Sequence, residues 1–299
     1  MNFNIKLIFK ILYINITLIM AQSKYSYRGF MLDTARQFFP LSTIKTILDY
    51  MKEANLNKFH WHLIDNEGFN IEFNYDYKKL TNYGSLKGQY YTKKNIIEII
   101  NYAKKYNIEV IPEFDFPGHA KAFGIAYPKI MLKGFDDELD LSNPKVFTIL
   151  DKLFTEFIPI FNTSKYVHFG HDESANIPTE IIKSLTFAAG TATKYNKTPI
   201  VYDDSFTNKR IRLPSCKPFI IQVWQDIEAL DIILNLEYKT IVSIADYFYI
   251  GNDVGTPKDF VFPDDDNIIG FEICWFTSPE DDVHDVSWIK SFMLSSSEI

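Results

Sequence analysis

The sequence predicts an α/β fold, a single (β/α)8 barrel, on two observations. After residue 25, short apolar runs alternate with longer segments of helical period. No internal repeat, low-complexity tract or linker divides the 299-residue chain. Eight strand–helix units in about 270 residues favour a closed barrel over an open, doubly wound sheet.

The strands are predicted from short apolar runs, and the helices from apolar residues that recur three and four positions apart. The strands are residues 29–32, 58–63, 109–114, 167–170, 199–202, 219–223, 240–244 and 268–274. Helical spacing is clearest in residues 41–51, 96–103 and 146–157. The segments that follow the fifth and seventh strands look short or irregular.

The composition is that of a globular protein and excludes several classes. Hydrophobic residues make up 46% and charged residues 23% of the chain, so it is neither disordered nor fibrous. The net charge of -7, without long Lys/Arg clusters, argues against a nucleic-acid partner. The chain has two cysteines, Cys216 and Cys274, which are too few for a disulfide scaffold or a Cys-rich zinc site. A single disulfide bridge between them is not excluded. The high aromatic fraction, 16%, fits either sugar-stacking surfaces or a compositional bias of the source.

The first residues are typical of a secretory signal. Lys6 and Lys10 precede a short apolar run over residues 11–20, and Ala21 offers a small residue for cleavage. We therefore expect a signal peptide over residues 1–21, a barrel domain over 22–299, and a secreted or lumenal location. An uncleaved anchor or a buried helix is the alternative for this segment. Two downstream sequons, at Asn162 and Asn196, are compatible with secretion.

Polar residues follow nearly every predicted strand, at the end of a barrel where catalytic residues collect. A single strand-end carboxylate usually caps a helix, but such a cap does not explain the whole set. A cleft dense in carboxylates, histidines and large aromatics is typical of carbohydrate chemistry. The set comprises Asp33, Asp65, Asp115, His119, His171, Asp172, Glu173, Tyr202, Asp203, Asp204, Trp224, Gln225, Asp226, Asp246, Tyr249 and Trp275.

Metal binding is the competing functional interpretation. His60 and His62 alternate on one predicted strand, so both side chains face the same way, and other histidines lie at neighbouring strand ends. Trp61 would then face away from the site. We favour a site without a metal or cofactor.

Four motifs, in order over residues 28 to 275, resemble the glycoside hydrolase family 20 β-N-acetylhexosaminidases. The first is R-G-F-M-L-D-T-A-R at 28–36, and the second is F-H-W-H-L-I-D at 59–65. The third is I-P-E-F-D-F-P-G-H at 111–119, and the fourth is H-F-G-H-D-E at 168–173. The resemblance implies a barrel enzyme that removes terminal β-linked N-acetylglucosamine or N-acetylgalactosamine with retention of configuration.

The resemblance also implies roles for individual residues. Glu173 would be the general acid/base, and Asp172 would hold and polarise the substrate's acetamido group, whose oxygen is the nucleophile. Asp65 and His119 would form a supporting network behind Glu173. The remaining substrate-binding residues would be Arg28 for sugar hydroxyls and Trp224 and Tyr249 around the acetamido group. Tyr202 and Trp275 would be aromatic walls, with Phe276 as the alternative to Trp275.

This chain departs from the family pattern at several positions. His171 replaces a glycine beside the catalytic pair, and Tyr202 replaces a tryptophan. Gly251 stands where an aspartate is usual, and Thr277 and Ser278 stand where an acid is expected. We expect an active enzyme with altered substrate binding; the rival is a catalytically weak sugar-binding protein. The expected partner is an oligosaccharide or glycan that contains N-acetylhexosamine. We expect no nucleic-acid partner and, after signal cleavage, no membrane association. The resemblance leaves a homodimer open.

Overall fold

A computed structural model describes residues 24–73, 77–213, 218–251 and 254–299 of the chain. The predicted signal segment and Cys216 lie outside these residues. Cys274 is a free, buried thiol. Within these ranges, no helix has both the length and the apolar character needed to cross a bilayer.

Eight parallel strands close into a barrel in sequence order, which confirms the predicted fold class. They are β1 (Tyr27–Asp33), β2 (Lys58–His62), β3 (Glu109–Phe116), β4 (Tyr166–Gly170), β5 (Thr198–Tyr202), β6 (Ile220–Val223), β7 (Lys239–Val242) and β8 (Ile268–Trp275). The barrel closes between β1 and β8, where Tyr27 pairs with Gly270 and Leu32 with Trp275. A Cβ at Gly270 would lie 1.7 Å from the carbonyl oxygen of Tyr27, so only glycine permits this closure.

The connecting helices surround the barrel. They are α1 (Leu41–Glu53), α2 (Lys79–Gly84), α3 (Lys93–Lys104), α4 (Lys121–Ala126), α5 (Pro144–Phe157), α6 (Pro178–Lys194), α7 (Ile227–Asn235), α8 (Ala245–Phe248) and α9 (Ile289–Ser295). Short 3-10 helices span Leu86–Gly88, Pro128–Ile130, Ile158–Ile160, Asp203–Ser205, Pro257–Asp259 and Ser296–Glu298. As predicted, the connections after β5 and β7 are short or irregular at their start. The one after β5 begins with a 3-10 turn, and the one after β7 begins with the four-residue α8.

The barrel interior changes from apolar to polar along its axis. A small apolar cluster of Tyr27, Ile111, Ile200, Ile220 and Ile241 lies inside the barrel, separate from the large core between the strands and the helices. Further along the strands, the interior holds buried His60, Glu113, His168, Gln222 and Glu272. Because barrel interiors are usually filled by branched apolar residues, this polar layer marks the end where the site lies.

Candidate active site

A pocket of about 270 Å³ opens where the strands end. Six of the predicted site residues meet there. Arg36, which had no predicted role, and Phe276, the alternative to Trp275, also line the pocket. The six are His119, Asp172, Glu173, Tyr202, Trp224 and Tyr249. Strands β3 to β7 each supply at least one of these six from their carboxyl ends or the following loops.

Asp172 and Glu173 are adjacent in sequence but lie in different environments. The Asp172 side chain is 11% exposed, whereas the Glu173 side chain is 58% exposed. Oδ1 of Asp172 is buried and has no hydrogen-bond partner among the described residues. Glu173 has a φ of +46°, in the left-handed region that non-glycine residues rarely occupy. The backbone therefore turns the two carboxylates in different directions.

His119 joins the two carboxylates. Its Nε2 lies 3.1 Å from Oε2 of Glu173, and its Nδ1 lies 2.9 Å from Oδ2 of Asp115 and 3.5 Å from Oδ2 of Asp172. Burial alone would lower the pKa of the imidazole, but these three carboxylates raise it well above its ordinary value. His119 therefore carries a positive charge in the free site.

The same contacts separate the pKa values of the two adjacent carboxylates. The hydrogen bond from His119 lowers the pKa of Glu173, and its charge acts in the same direction. Burial raises the pKa of Asp172 well above its usual range, and the neighbouring Asp115 adds to that rise. In the unliganded pocket, Asp172 thus holds a proton more readily than Glu173.

Aromatic side chains line another part of the pocket. The rings of Trp224 and Tyr249 are nearly parallel, with centroids 6.5 Å apart and an interplanar angle of 18°. Phe276 continues the wall, with its ring centroid 5.1 Å from that of Tyr249. The Tyr202 hydroxyl is buried, with no hydrogen-bond partner among the described residues. Such faces suit the apolar face of a sugar ring.

Two carboxylates that follow β5 fix this wall. Trp224 donates its indole N–H to Oδ2 of Asp204 over 2.8 Å, and Oδ1 of Asp204 accepts the backbone N–H of Glu173 over 3.3 Å. Oδ1 of Asp203 accepts the backbone N–H of Trp224 over 3.1 Å. The sequence placed Asp203 and Asp204 at a strand end and so among the candidate site residues. It did not predict that they would hold Trp224 in the pocket wall.

Arg36, not Arg28, is the arginine of the pocket. Arg28 lies at the opposite end of β1, where its guanidinium donates to the carbonyl oxygens of Asn55 and Tyr25, each over 2.7 Å. The predicted role of Arg28 in sugar binding is therefore wrong. Arg36 follows the carboxyl end of β1 and lines the pocket. The sequence could have shown this, because Arg28 precedes the predicted strand 29–32. A residue that precedes a barrel strand lies at the end of the barrel away from the site.

Asp65 supports this arginine and does not line the pocket. The Arg36 guanidinium lies 2.8 Å from Oδ2 of Asp33 and 2.8 Å from Oδ2 of Asp65. His62 Nε2 lies 2.8 Å from the same oxygen of Asp65. Asp65 therefore holds Arg36, whereas His119 contacts the carboxylate of Glu173.

Trp275 was predicted as a pocket wall, and this prediction is wrong. It is 2% exposed and packs outside the barrel, with its ring 5.3 Å from Phe39 and 5.2 Å from Trp288. Successive side chains of a strand face opposite sides, so Phe276, the next residue, lies in the pocket instead.

Three histidines converge on one carboxylate inside the barrel. His60 and His168 each place a ring nitrogen about 3 Å from Glu113, at 3.1 and 3.0 Å, and His62 bonds to the same group. Burial lowers the pKa of His60, but Glu272 and Glu113 raise it to about 9. The ligand atoms of His60, Glu113 and His168 lie close enough to hold a metal ion.

The sequence of this region matches a known family. Residues 25–181, just over half of the chain, match the model of glycosyl hydrolase family 20, catalytic domain. The chain belongs to this family. The predicted resemblance is therefore confirmed.

Known relatives agree with the assignment. Beta-hexosaminidase subunit A1 of Dictyostelium discoideum is 34% identical over 250 residues, which cover 75% of this chain and 46% of the relative. The chain thus spans about half the length of this curated relative. The chitobiase of Flavobacterium johnsoniae is 26% identical, with a TM-score of 0.73 over 92% of this chain and 48% of that one. A mutant Streptomyces plicatus beta-hexosaminidase in complex with its product GlcNAc shares the fold, with 21% identity and a TM-score of 0.78 over 92% of this chain and 63% of that one.

His171, which replaces a family 20 glycine, turns away from the pocket. Its φ of +70° explains why glycine is favoured at this position. The buried ring contacts the carbonyl oxygen of Phe169 over 3.0 Å and the hydroxyl of Ser184, on α6, over 2.9 Å. Burial lowers its pKa to about 3. The substitution therefore places a neutral ring against α6, with no ring nitrogen on Asp172 or Glu173.

Proposed function

We propose that this protein is a retaining exo-β-N-acetylhexosaminidase in which the substrate's own acetamido group is the nucleophile. The observation that carries the proposal is the buried Oδ1 of Asp172, in the pocket beside Glu173, for which the described residues offer no hydrogen-bond partner. A buried acceptor needs a donor, and the N–H of a 2-acetamido group supplies one. Beta-hexosaminidase relatives add support from sequence.

The reaction divides between Glu173 and Asp172. Glu173 donates a proton to the glycosidic oxygen as the bond to the anomeric carbon breaks. The acetamido oxygen attacks that carbon and forms an oxazolinium intermediate, while Asp172 stabilises the positive charge on the nitrogen. Water then opens the ring and gives its proton to Glu173. Enzymes of this kind need no carboxylate nucleophile, unlike the usual retaining pair.

Substrate binding adjusts the proton affinities that this chemistry requires. In the free pocket the pKa of Glu173 is lowered and that of Asp172 is raised. A bound sugar excludes water from the exposed Glu173, which raises its pKa, and brings an N–H to Asp172, which lowers its pKa. Both changes favour a protonated Glu173 beside an ionised Asp172.

The substrate class follows from the pocket. A volume of about 270 Å³ lies near the lower limit of small-molecule pockets, so it suits one terminal sugar better than the interior of a chain. The aromatic wall and Arg36 would hold that sugar. We expect both N-acetylglucosamine and N-acetylgalactosamine to be accepted, since the acid expected near Thr277 and Ser278 is missing.

The proposed location is the secretory route or the exterior. Residues 1–21 support it, and the asparagines of both sequons, Asn162 and Asn196, are exposed and accessible to glycosylation. Amino-terminal sequencing of protein secreted by a eukaryotic host tests it: a start near residue 22 supports cleavage, and a start at Met1 contradicts it.

Hydrolysis of paired nitrophenyl glycosides tests the activity. We expect turnover of the β-N-acetylglucosaminide and the β-N-acetylgalactosaminide, a β-configured first product by NMR, and no turnover of the β-glucoside. Equal turnover of the glucoside would exclude the acetamido nucleophile. Binding of N-acetylglucosamine without turnover would favour the rival, a sugar-binding protein. A chelator should leave the rate unchanged.

A further inference from the structure

A buried carboxylate outside the pocket holds the loop that carries Glu173. Glu138 lies between the 3-10 helix Pro128–Ile130 and α5 and is only 3% exposed. Its Oε1 accepts a hydrogen bond from the Ser174 hydroxyl over 2.5 Å and another from the Asn176 side-chain amide. A buried carboxylate is costly unless donors surround it, so this group is tied to the 174–176 segment.

Further hydrogen bonds tie the same two segments together. Asn176 donates to the carbonyl oxygen of Leu139 over 2.9 Å and accepts the backbone N–H of Leu141 over 3.2 Å. The backbone N–H of Leu139 donates in turn to the carbonyl oxygen of Pro117 over 2.8 Å. Segment 137–141 therefore lies between the loop of His119 and the loop of Glu173, and contacts both.

Glu173 needs such support, because its own conformation is unfavourable. Its φ of +46° is costly for a side chain with a Cβ and persists only where neighbouring groups hold it. Two hydrogen bonds bind Glu173 on its pocket side: the one between its carboxylate and His119, and the one from its backbone N–H to Asp204. Glu138 anchors the residues directly after it.

We propose that Glu138 is a positioning residue, which holds Ser174 and Asn176 so that the Glu173 carboxyl stays beside His119 at the reacting oxygen. This inference rests on the proposed function, since it assigns Glu138 a role in aiming the general acid. It predicts a loss confined to proton donation. A displacement of about 1 Å in a catalytic group can cost about 100-fold in rate.

The experiment compares Glu138→Gln with wild type and Glu173→Gln on two β-N-acetylglucosaminides. One carries nitrophenol, a good leaving group, and the other is a disaccharide with a poor one. We expect Glu138→Gln to lower kcat on the disaccharide about 10- to 100-fold, with a smaller loss on the nitrophenyl substrate and KM nearly unchanged. A merely structural role would lower both rates by the same factor.

Glu156→Gln is the matched control. Glu156 is also a buried carboxylate, but it lies on α5 and pairs with Lys93 over 2.8 Å, and it does not line the pocket. We expect it to leave the ratio of the two rates unchanged, whatever it does to the melting temperature. If Glu138→Gln does not fold, Ser174→Ala removes the hydrogen bond to Glu138 and those that the Ser174 hydroxyl accepts from Asn176. It should show the same selective loss at about 3- to 10-fold.

Each outcome decides the inference. Wild-type rates, or equal losses on both substrates, in Glu138→Gln or in Ser174→Ala would overturn it while leaving the proposed function intact. Selective losses in these variants, which parallel those of Glu173→Gln, would establish it. A wild-type protein that hydrolyses neither substrate would overturn the proposed function, and the role of Glu138 with it.

Discussion

The Nε2 atom of His119 lies 3.1 Å from Oε2 of Glu173, and the hydrogen bond and the charge of that imidazole lower the pKa of the carboxyl. Because catalysis needs Glu173 protonated and Asp172 ionised, kcat/KM of the wild-type protein should fall at both low and high pH. His119→Gln removes the charge, so the pKa values of Glu173 and Asp172 both rise and the whole profile should move to higher pH.

The measurement is kcat/KM against pH on the disaccharide, with His284→Gln as the control. His284 is exposed and does not line the pocket. A profile that stays in place in His119→Gln would show that His119 does not set the protonation of the two carboxyls.

The two adjacent carboxylates should differ in their dependence on the leaving group. General acid help is worth about 10²–10⁴-fold, and a nitrophenyl group needs little of it. Glu173→Gln should therefore lose far more activity on the disaccharide than on the nitrophenyl substrate. Asp172→Asn should slow both by similar factors, because in the proposed mechanism every substrate uses its acetamido group as the nucleophile. Values of kcat/KM for both variants on both substrates test this, and equal sensitivity in the two would contradict the assignment.

Arg36 and Arg28 provide a matched pair within one motif. Arg36→Lys keeps the charge, but an ammonium cannot bridge Asp33 and Asp65 as the planar guanidinium does. We expect kcat/KM to fall about 10- to 100-fold. Arg28→Lys should change kcat/KM by less than about twofold, since it lies at the other end of the barrel. Similar losses in both variants would contradict the placement of the site.

His171 should make the fold sensitive to acid. Its folded pKa is about 3, below the value of about 6.5 in the unfolded chain, so only the unfolded chain takes up this proton in between. Its contribution to stability is complete above about pH 6.5 and is lost as pH falls toward 3, by at most about 1.4 kcal/mol per pH unit.

Asn tolerates positive φ, so His171→Asn isolates the proton from the backbone effect. The difference in the free energy of unfolding between wild type and His171→Asn should shift in favour of the variant as pH falls from 7 to 4. Denaturant unfolding at several pH values measures it. A difference that does not change with pH would show that His171 has the same pKa in the folded and the unfolded chain.

The sequence alone determined the barrel and the end at which its chemistry lies. Periodicity and alternation are local properties, and strand ends of parallel strands meet at one edge. The carboxylate pair, His119 and the residues of the aromatic wall on β5 to β7 were predicted from these features and from the family motifs. The structure brings all six of these residues to one pocket.

Only the tertiary structure decided which neighbour along the chain faces the pocket. Trp275 and Phe276 differ by one position, and a shift of one residue exchanges the two faces of a strand. The direction of His171 depends on Ser184, on the next helix, and the anchoring of the Glu173 loop depends on Glu138, 36 residues before Ser174. Such contacts join segments that are distant in sequence, so no local pattern predicts them; they form only when the closed barrel brings the loops together.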